Sequence, residues 1–241
     1  MSRVNIAIHG TGRMAAAIVQ AAQGMEDVRI VSLAGPRPPS WDSDIPHVST
    51  LAELVDAPDF LIDFTLPEGT KAAAEWCRAT AVPMVSGVTG LSDDVFRALE
   101  SAAEFVPVLW SPNLSLGVNL LAELAGRAGA VLGDEAPVAI EDIHHQWKKD
   151  APSGTALMLG ERIAEGRNDK SSITYSSVRE GEVIGVHTVR FTMDGEEFEL
   201  VHRAHDRSIY ALGAIGAGQW LMSRPAGFYR ARDWLANAGA A

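Results

Sequence analysis

The stretch VNIAIHGTGRMAAAIV, residues 4 to 19, constrains the fold more than any other. An apolar run of strand length ends at Gly10, and a helix-forming run begins at Arg13. Between them Gly10, Gly12 and Ala15 fall in the spacing G-x-G-x-x-G/A. After a strand and before a helix, such glycines permit a tight turn and a close backbone approach to a pyrophosphate, whose charge meets the unpaired N–H groups of the helix start. A turn that only reverses the chain is the plainer alternative. Arg13 is either a phosphate contact or a solvated cation.

The rest of the first half keeps the alternation. VRIVSLAG, DFLIDFT, VPMVSGVTG and VPVLWS read as buried strands, with EGTKAAAEWCRAT and SDDVFRALESAA as helices between them. Apolar strands alternating with helices predict a doubly wound parallel sheet covered on both faces, an α/β Rossmann-like domain. DFTLPEGT and SGVTG end two of those strands, so Thr65, Gly87 and Thr89 are candidates to line the nicotinamide end of a dinucleotide. The end of the second strand lacks the acidic residue that would take the ribose hydroxyls of NAD. It offers Gly35 and Arg37 at the head of the loop GPRPPSWDSD, and Arg37 suits a 2′-phosphate, a lean towards NADPH over NADH.

After Asn113 the pattern changes. A long helical stretch, LGVNLLAELAGRAGAVLG, leads to strands with period-two alternation, HTVRFTM and EFELVHRA, which predict an antiparallel sheet buried on one face. SIYALGAIGAGQWLM reads as a helix returning to the first core. The chain therefore divides into a dinucleotide-binding domain, residues 1–114 plus 207–241, and an α+β domain, residues 115–206.

The formal net charge of −11 disfavours nucleic acid and anionic lipid, so an anionic substrate needs a local basic pocket. No apolar run reaches bilayer length and the start of the chain does not read as a signal peptide, so a cytoplasmic location is expected. The single cysteine, Cys77, is read as packing.

The local basic pocket is sought in EDIHHQWKKDAPSGTAL, residues 141 to 157. PVAIEDIHHQ reads as a strand, so His144 and His145 face different ways. DAPSGTALMLGERIA reads as a loop entering a helix, where the Ser153, Gly154 and Thr155 backbone and hydroxyls form an anion site. Lys148 adds a point charge, and a histidine supplies a proton near neutral pH. A zinc site from these histidines with His202 and His205 is the lesser alternative, because the ligand spacing is wrong. Trp147 and Lys149 read as surface residues and Asp150 as a loop or cap residue.

HHQWKKDAPSGTA resembles the signature of the dihydrodipicolinate reductase family; GTGRMA, DFTLPEGT, SGVTG and SPNLSLGVN resemble its other motifs in order. The resemblance implies an NAD(P)H-dependent reductase of diaminopimelate and lysine synthesis that acts on a cyclic dicarboxylate. It implies His144 as general acid, Lys148 as its catalytic partner, and His145, Ser153, Gly154, Thr155 and Arg207 as substrate-binding residues. Thr11, Met14, Ser111, Asn113 and Leu114 would join Gly10, Gly12, Arg13, Arg37, Thr65, Gly87 and Thr89 around the cofactor. It also implies a homotetramer built through the second domain; from the ligand spacing, no metal is expected. Leu114 departs from the family's aromatic, and the loops near 35–50 and 165–175 look short. The competing readings are a related imine reductase or amino-acid dehydrogenase, and a non-catalytic NADP-binding sensor lacking His144 or Lys148; both residues are present.

Overall fold

The structure is a computed structural model that describes residues 3–167 and 173–236; part of the 165–175 loop lies outside the described residues. In chain order the elements are β1 (Val4–His9), α1 (Arg13–Ala22), β2 (Val28–Ala34), β3 (His47–Val48), β4 (Phe60–Asp63), α2 (Pro67–Thr80), β5 (Met84–Ser86), α3 (Asp93–Ala103) and β6 (Pro107–Trp110). There follow α4 (Leu116–Leu132), β7 (Val138–His144), α5 (Gly154–Arg167), β8 (Ile173–Arg179), β9 (Gly185–Met193) and β10 (Glu196–Ala204). The chain ends with α6 (Ser208–Leu221), β11 (Gly227–Tyr229) and α7 (Ala231–Leu235). Two compact units result, one of residues 3–115 with 208–236 and one of residues 116–207 without the undescribed gap.

The first unit holds a seven-stranded parallel sheet in the order β11-β6-β5-β4-β1-β2-β3. The pleat sorts its apolar side chains onto two faces. Ile6, Ile8, Phe60 and Ile62 join Ile18 of α1 and Ile215 of α6 in one core. Their neighbours Ala7 and Leu61 join Met84, Cys77 of α2 and Leu99 of α3 in the other. Helices thus cover both faces, which is why these strands are apolar throughout. The returning C-terminal segment supplies α6 to the first core and β11 to the sheet edge. Cys77 is fully buried, and burial, with the charge of Asp63 behind it, pushes its thiol well above the usual range; it is a packing residue.

The second unit holds a four-stranded sheet in the order β10-β9-β7-β8. It is mixed, which corrects the antiparallel expectation: β10, β9 and β7 run antiparallel, whereas β8 runs parallel to β7. The reason is the connection. A hairpin through Gly195 joins β9 to β10, but α5 lies between β7 and β8, and a crossover returns a strand in the same direction. Val138, Ile140, Val189 and Phe191 turn one face of this sheet towards Leu121 and Ala125 of α4 and Leu159 and Ile163 of α5. The opposite face carries Glu141, Thr188, Arg190, Glu199 and Val201.

Candidate active site

Two sets of chemically equipped residues lie in the two units. In the first unit, they gather at the C-terminal ends of the parallel strands. Gly10 closes β1 with φ +120°, a conformation open to glycine, and a Cβ there would meet the Phe64 carbonyl at 3.0 Å. Thr11 follows, its carbonyl accepting the indole N–H of Trp41 at 3.0 Å, so the loop after β2 is tied to the glycine turn. Gly12 precedes α1 in extended backbone with open space where a Cβ would sit, and the first turn of the helix, from Arg13 and Met14, carries no acid. Gly12, Arg13 and Met14 line a depression of about 300 Å³ together with Thr65, Gly87 and Thr89. An open N–H turn, a helix N-terminus and no opposing carboxylate at that terminus fit a dinucleotide pyrophosphate.

Beneath the depression lies Asp63, fully buried at the end of β4. It accepts the Thr65 hydroxyl at 2.6 Å, the Thr70 hydroxyl at 2.7 Å and the Ser86 hydroxyl at 2.9 Å, and lies 3.3 Å from His9 Nδ1. One carboxylate therefore braces the loops after β4 and β5. Arg37 is exposed in the loop after β2 and is not among the residues lining the depression. Ser111 and Asn113 shape the turn after β6: the Ser111 hydroxyl donates to the Asn113 carbonyl at 2.6 Å, and Asn113 Oδ1 accepts the Ser115 N–H at 2.9 Å. Leu114 is part of the core.

In the second unit the site is built on the end of β7. The pleat puts Asp142 and His144 on one face, and both are buried. Register completes the row: Ser177 of β8 lies opposite Asp142 on one side and His187 of β9 on the other, while Arg179 of β8 lies opposite His144. Asp142 Oδ1 takes His144 Nδ1 at 2.8 Å and Arg179 Nη1 at 2.8 Å; Oδ2 takes the Ser177 hydroxyl at 2.6 Å and the Ser153 N–H at 3.2 Å. Burial opposes ionisation of Asp142, but these donors outweigh it and hold the carboxyl below its usual range. For His144 the balance reverses: burial lowers its pKa, and the Asp142 bond recovers only part of that.

His187 packs edge-on against His144 with ring centroids 5.1 Å apart. Burial, and then the charge on His144, lower its pKa to about 3, so it stays neutral. Its Nε2 lies 3.4 Å from the Ser153 hydroxyl, which also accepts the Ala156 N–H at 3.2 Å and so caps α5. His145 is half-buried with its ring beside the exposed Trp147. Lys148 Nζ lies 2.8 Å from Asp150, which also accepts the Gly154 N–H; burial raises the Asp150 pKa, but Lys148 and these backbone bonds bring it below the usual value. Thr155 occupies the first turn of α5, and Arg207 is half-buried just before α6.

The structure thus brings His144, Lys148, Ser153 and Gly154 into one hydrogen-bonded neighbourhood, and it adds Asp142, Ser177, Arg179 and His187, which the sequence reading passed over. Asp142 had a visible signal, since it stands two residues before His144 in a strand. The other three depended on register. The Ser153 and Gly154 N–H groups expected to hold a substrate carboxylate already face Asp142 and Asp150. Among the described residues no cluster of His, Cys, Asp and Glu is able to hold a metal ion, and no helix is long and apolar enough to cross a membrane.

Comparison with known proteins identifies the family and the fold. The family model for the dihydrodipicolinate reductase N-terminus matches residues 4–114, and that for its C-terminus matches residues 117–235. A 4-hydroxy-tetrahydrodipicolinate reductase of Xanthomonas euvesicatoria is 42% identical over 238 residues, 96% of this chain and 98% of the relative. One from Methylococcus capsulatus is 40% identical over 213 residues, covering 81% and 79%. A dipicolinate-bound dihydrodipicolinate reductase from Paenisporosarcina shares the fold, with a TM-score of 0.82 at 24% identity over 95% of this chain and 97% of that one. A DAP dehydrogenase from C. glutamicum superposes less closely, with a TM-score of 0.63 at 13% identity over 98% of this chain and 96% of that one. The chain belongs to the dihydrodipicolinate reductase family.

Proposed function

We propose that the chain reduces 4-hydroxy-tetrahydrodipicolinate to tetrahydrodipicolinate with NADPH or NADH, as the reaction named by its relatives requires, and that His144 is the proton donor. The first unit binds the cofactor, through the glycine turn and the depression it shares with Thr65, Gly87 and Thr89. When bound, the reduced nicotinamide supplies the hydride. The second unit binds the dicarboxylate through Lys148, His145, the start of α5 and Arg207. The single observation that carries the reading is the Asp142–His144 pair beside Lys148 and the N-terminus of α5: a proton donor set against a cation and backbone donors.

Hydride addition leaves the substrate electron-rich, and it must be protonated. His144 is placed for that, because Asp142 occupies Nδ1 and leaves Nε2 to exchange a proton. Lys148, released from Asp150, balances a substrate carboxylate and makes the neighbourhood favour an anion. We further propose a homotetramer associating through the helix-free face of the second sheet, a cytoplasmic location, and recognition of the 2′-phosphate of NADPH by Arg37.

The test is loss of reduced-nicotinamide absorbance when substrate is generated in place from pyruvate and aspartate semialdehyde by the upstream synthase. Synthase-dependent turnover supports the reading. Its absence, in folded protein that binds NADPH, overturns it in favour of a related reductase or a sensor. His144→Ala combined with Lys148→Ala should abolish most turnover while NADPH binding stays within about twofold, because both residues lie in the second unit; parallel loss of both refutes the assignment of roles.

A further inference from the structure

We propose that Asp142 is the positioning residue for His144: its anchored carboxylate accepts Nδ1–H of the imidazole and so dedicates Nε2 to proton exchange with substrate. This rests on the reading of His144 as proton donor and deepens it.

The carboxylate is immobilised from both oxygens. Oδ2 is fixed by the Ser177 hydroxyl and the Ser153 N–H, and Oδ1 by Arg179, before the imidazole is considered. An acceptor so held, itself fully buried, leaves the imidazole one orientation at 2.8 Å. Arg179 is tied in turn by its second amino group to the Asp150 carbonyl at 2.6 Å. The charge of Asp142 is therefore balanced locally, and its pull on His144 is a directional hydrogen bond.

On the other side of the ring lies Gly185 of β9. A Cβ on Gly185 would come within 3.3 Å of His144 Nε2, so the glycine keeps that nitrogen uncrowded. The groups facing the imidazole are Asp142 from β7, Arg179 from β8, His187 from β9 and Lys148 from the loop after β7. Of these, Asp142 is the hydrogen-bond acceptor at Nδ1.

The consequence is a matched proton cycle. In the donating step the Nε2–H bond breaks, its electron pair stays on Nε2, and the proton passes to the substrate centre made electron-rich by hydride. The imidazole is left neutral with its remaining proton on Nδ1, the tautomer Asp142 already accepts. No ring flip or internal proton shift separates one turnover from the next; reprotonation at Nε2 restores the donor. Holding the correct tautomer is the service a buried aspartate gives a catalytic histidine in unrelated folds.

A structural role alone, tying β7 to β8 and to α5, predicts something different, and the two are separable. First, nitrogen-15 spectra of the histidines in wild-type protein, with His144 assigned by its disappearance in His144→Gln, should show the Nδ1–H tautomer for neutral His144. The Nε2–H tautomer would overturn the proposal. This readout needs no turnover, so it stands apart from the reductase reading.

Second, Asp142→Asn should lower kcat roughly 10- to 100-fold, up to the lower end of what general acid catalysis contributes because the imidazole itself is kept, with the substrate KM held within about threefold. The same change in a His144→Ala background should cost less than about twofold more. Equal losses in both backgrounds would mean that Asp142 acts on the fold. Because Asp142→Asn strands Arg179 and the variant risks misfolding, Ser177→Ala provides a milder arm. It removes one anchor of Oδ2 and should move the pH break of kcat without changing the melting temperature by more than a few degrees. An unmoved pH break in folded Ser177→Ala, with the wrong tautomer in the spectra, would defeat the idea.

Discussion

Asp150→Asn tests whether the resting site carries a carboxylate of its own in the place proposed for a substrate carboxylate. In the structure Lys148 Nζ is 2.8 Å from Asp150, and the Gly154 N–H also faces it. The Lys148 side chain is 23% exposed and that of Asp150 55% exposed. A pair so open to water is worth about 0.2–1 kcal/mol. A dicarboxylate that captures Lys148 must give up that amount. Removing the charge of Asp150 should therefore lower the substrate KM, and the Kd of a dicarboxylate probe such as dipicolinate, by about 1.5- to 5-fold, while kcat changes little because the His144–Asp142 contact is untouched.

The assay is steady-state turnover, with calorimetric titration of dipicolinate against wild type and variant. Salt provides an internal control: the gain should shrink as ionic strength rises, since it is carried by a partly exposed charge. A KM that rises on Asp150→Asn, with α5 still formed, would show that Asp150 organises the anion site and does not compete for it. An asparagine keeps the shape and an acceptor for the Gly154 N–H, so a change in cap geometry does not account for either result.

Two other expectations follow from the charges. His187 remains neutral down to about pH 3 in the folded protein, whereas the unfolded chain takes up a proton near the ordinary histidine pKa of about 6.5. Its contribution to stability is therefore complete above pH ~6.5 and declines at up to ~1.4 kcal/mol per pH unit as the pH falls towards 3. Urea unfolding of wild type and His187→Asn between those limits should show the flatter pH dependence in the variant, and parallel curves would refute the buried neutral imidazole. Arg37→Asp should reduce the NADPH-to-NADH ratio of kcat/KM about 10- to 100-fold, the loss of one charged hydrogen bond plus a new repulsion; an unchanged ratio would place the 2′-phosphate elsewhere.

The first unit was legible because its determinants are local. The apolar strands, the glycine turn at Gly10 and Gly12 and the polar strand ends at Thr65 and Thr89 each carry their meaning within a few residues, and the sheet assembles them by one rule, strand then helix. The second sheet was half legible. Alternation at Val189 and Phe191 correctly marks a buried face, but alternation is silent about strand direction, and the direction of β8 is set by α5. The sequence also showed donors at the start of α5 without showing that Asp142 and Asp150 face two of them, which depends on where β7 ends relative to that helix.

Asp142 marks the boundary between the two kinds of information. Its place beside His144 follows from the two-residue pleat, so the pair itself is written in EDIHH. Its meaning is not, because a lone aspartate near a histidine in a strand is as readily a solvated neighbour as an orienting group. What decides is whether the carboxylate is fixed, and that falls to Ser177 and Arg179, 35 and 37 residues further on. Those two are brought opposite by the parallel register of β7 and β8, which in turn exists because α5 carries the chain across. The crossover that upset the expected strand direction is thus what delivers the anchors of Asp142, and the helix it uses is the one whose N-terminus lies beside the site. Fold and chemistry share one device here: reversing β8 would destroy the Ser177–Asp142 and Arg179–His144 pairings together.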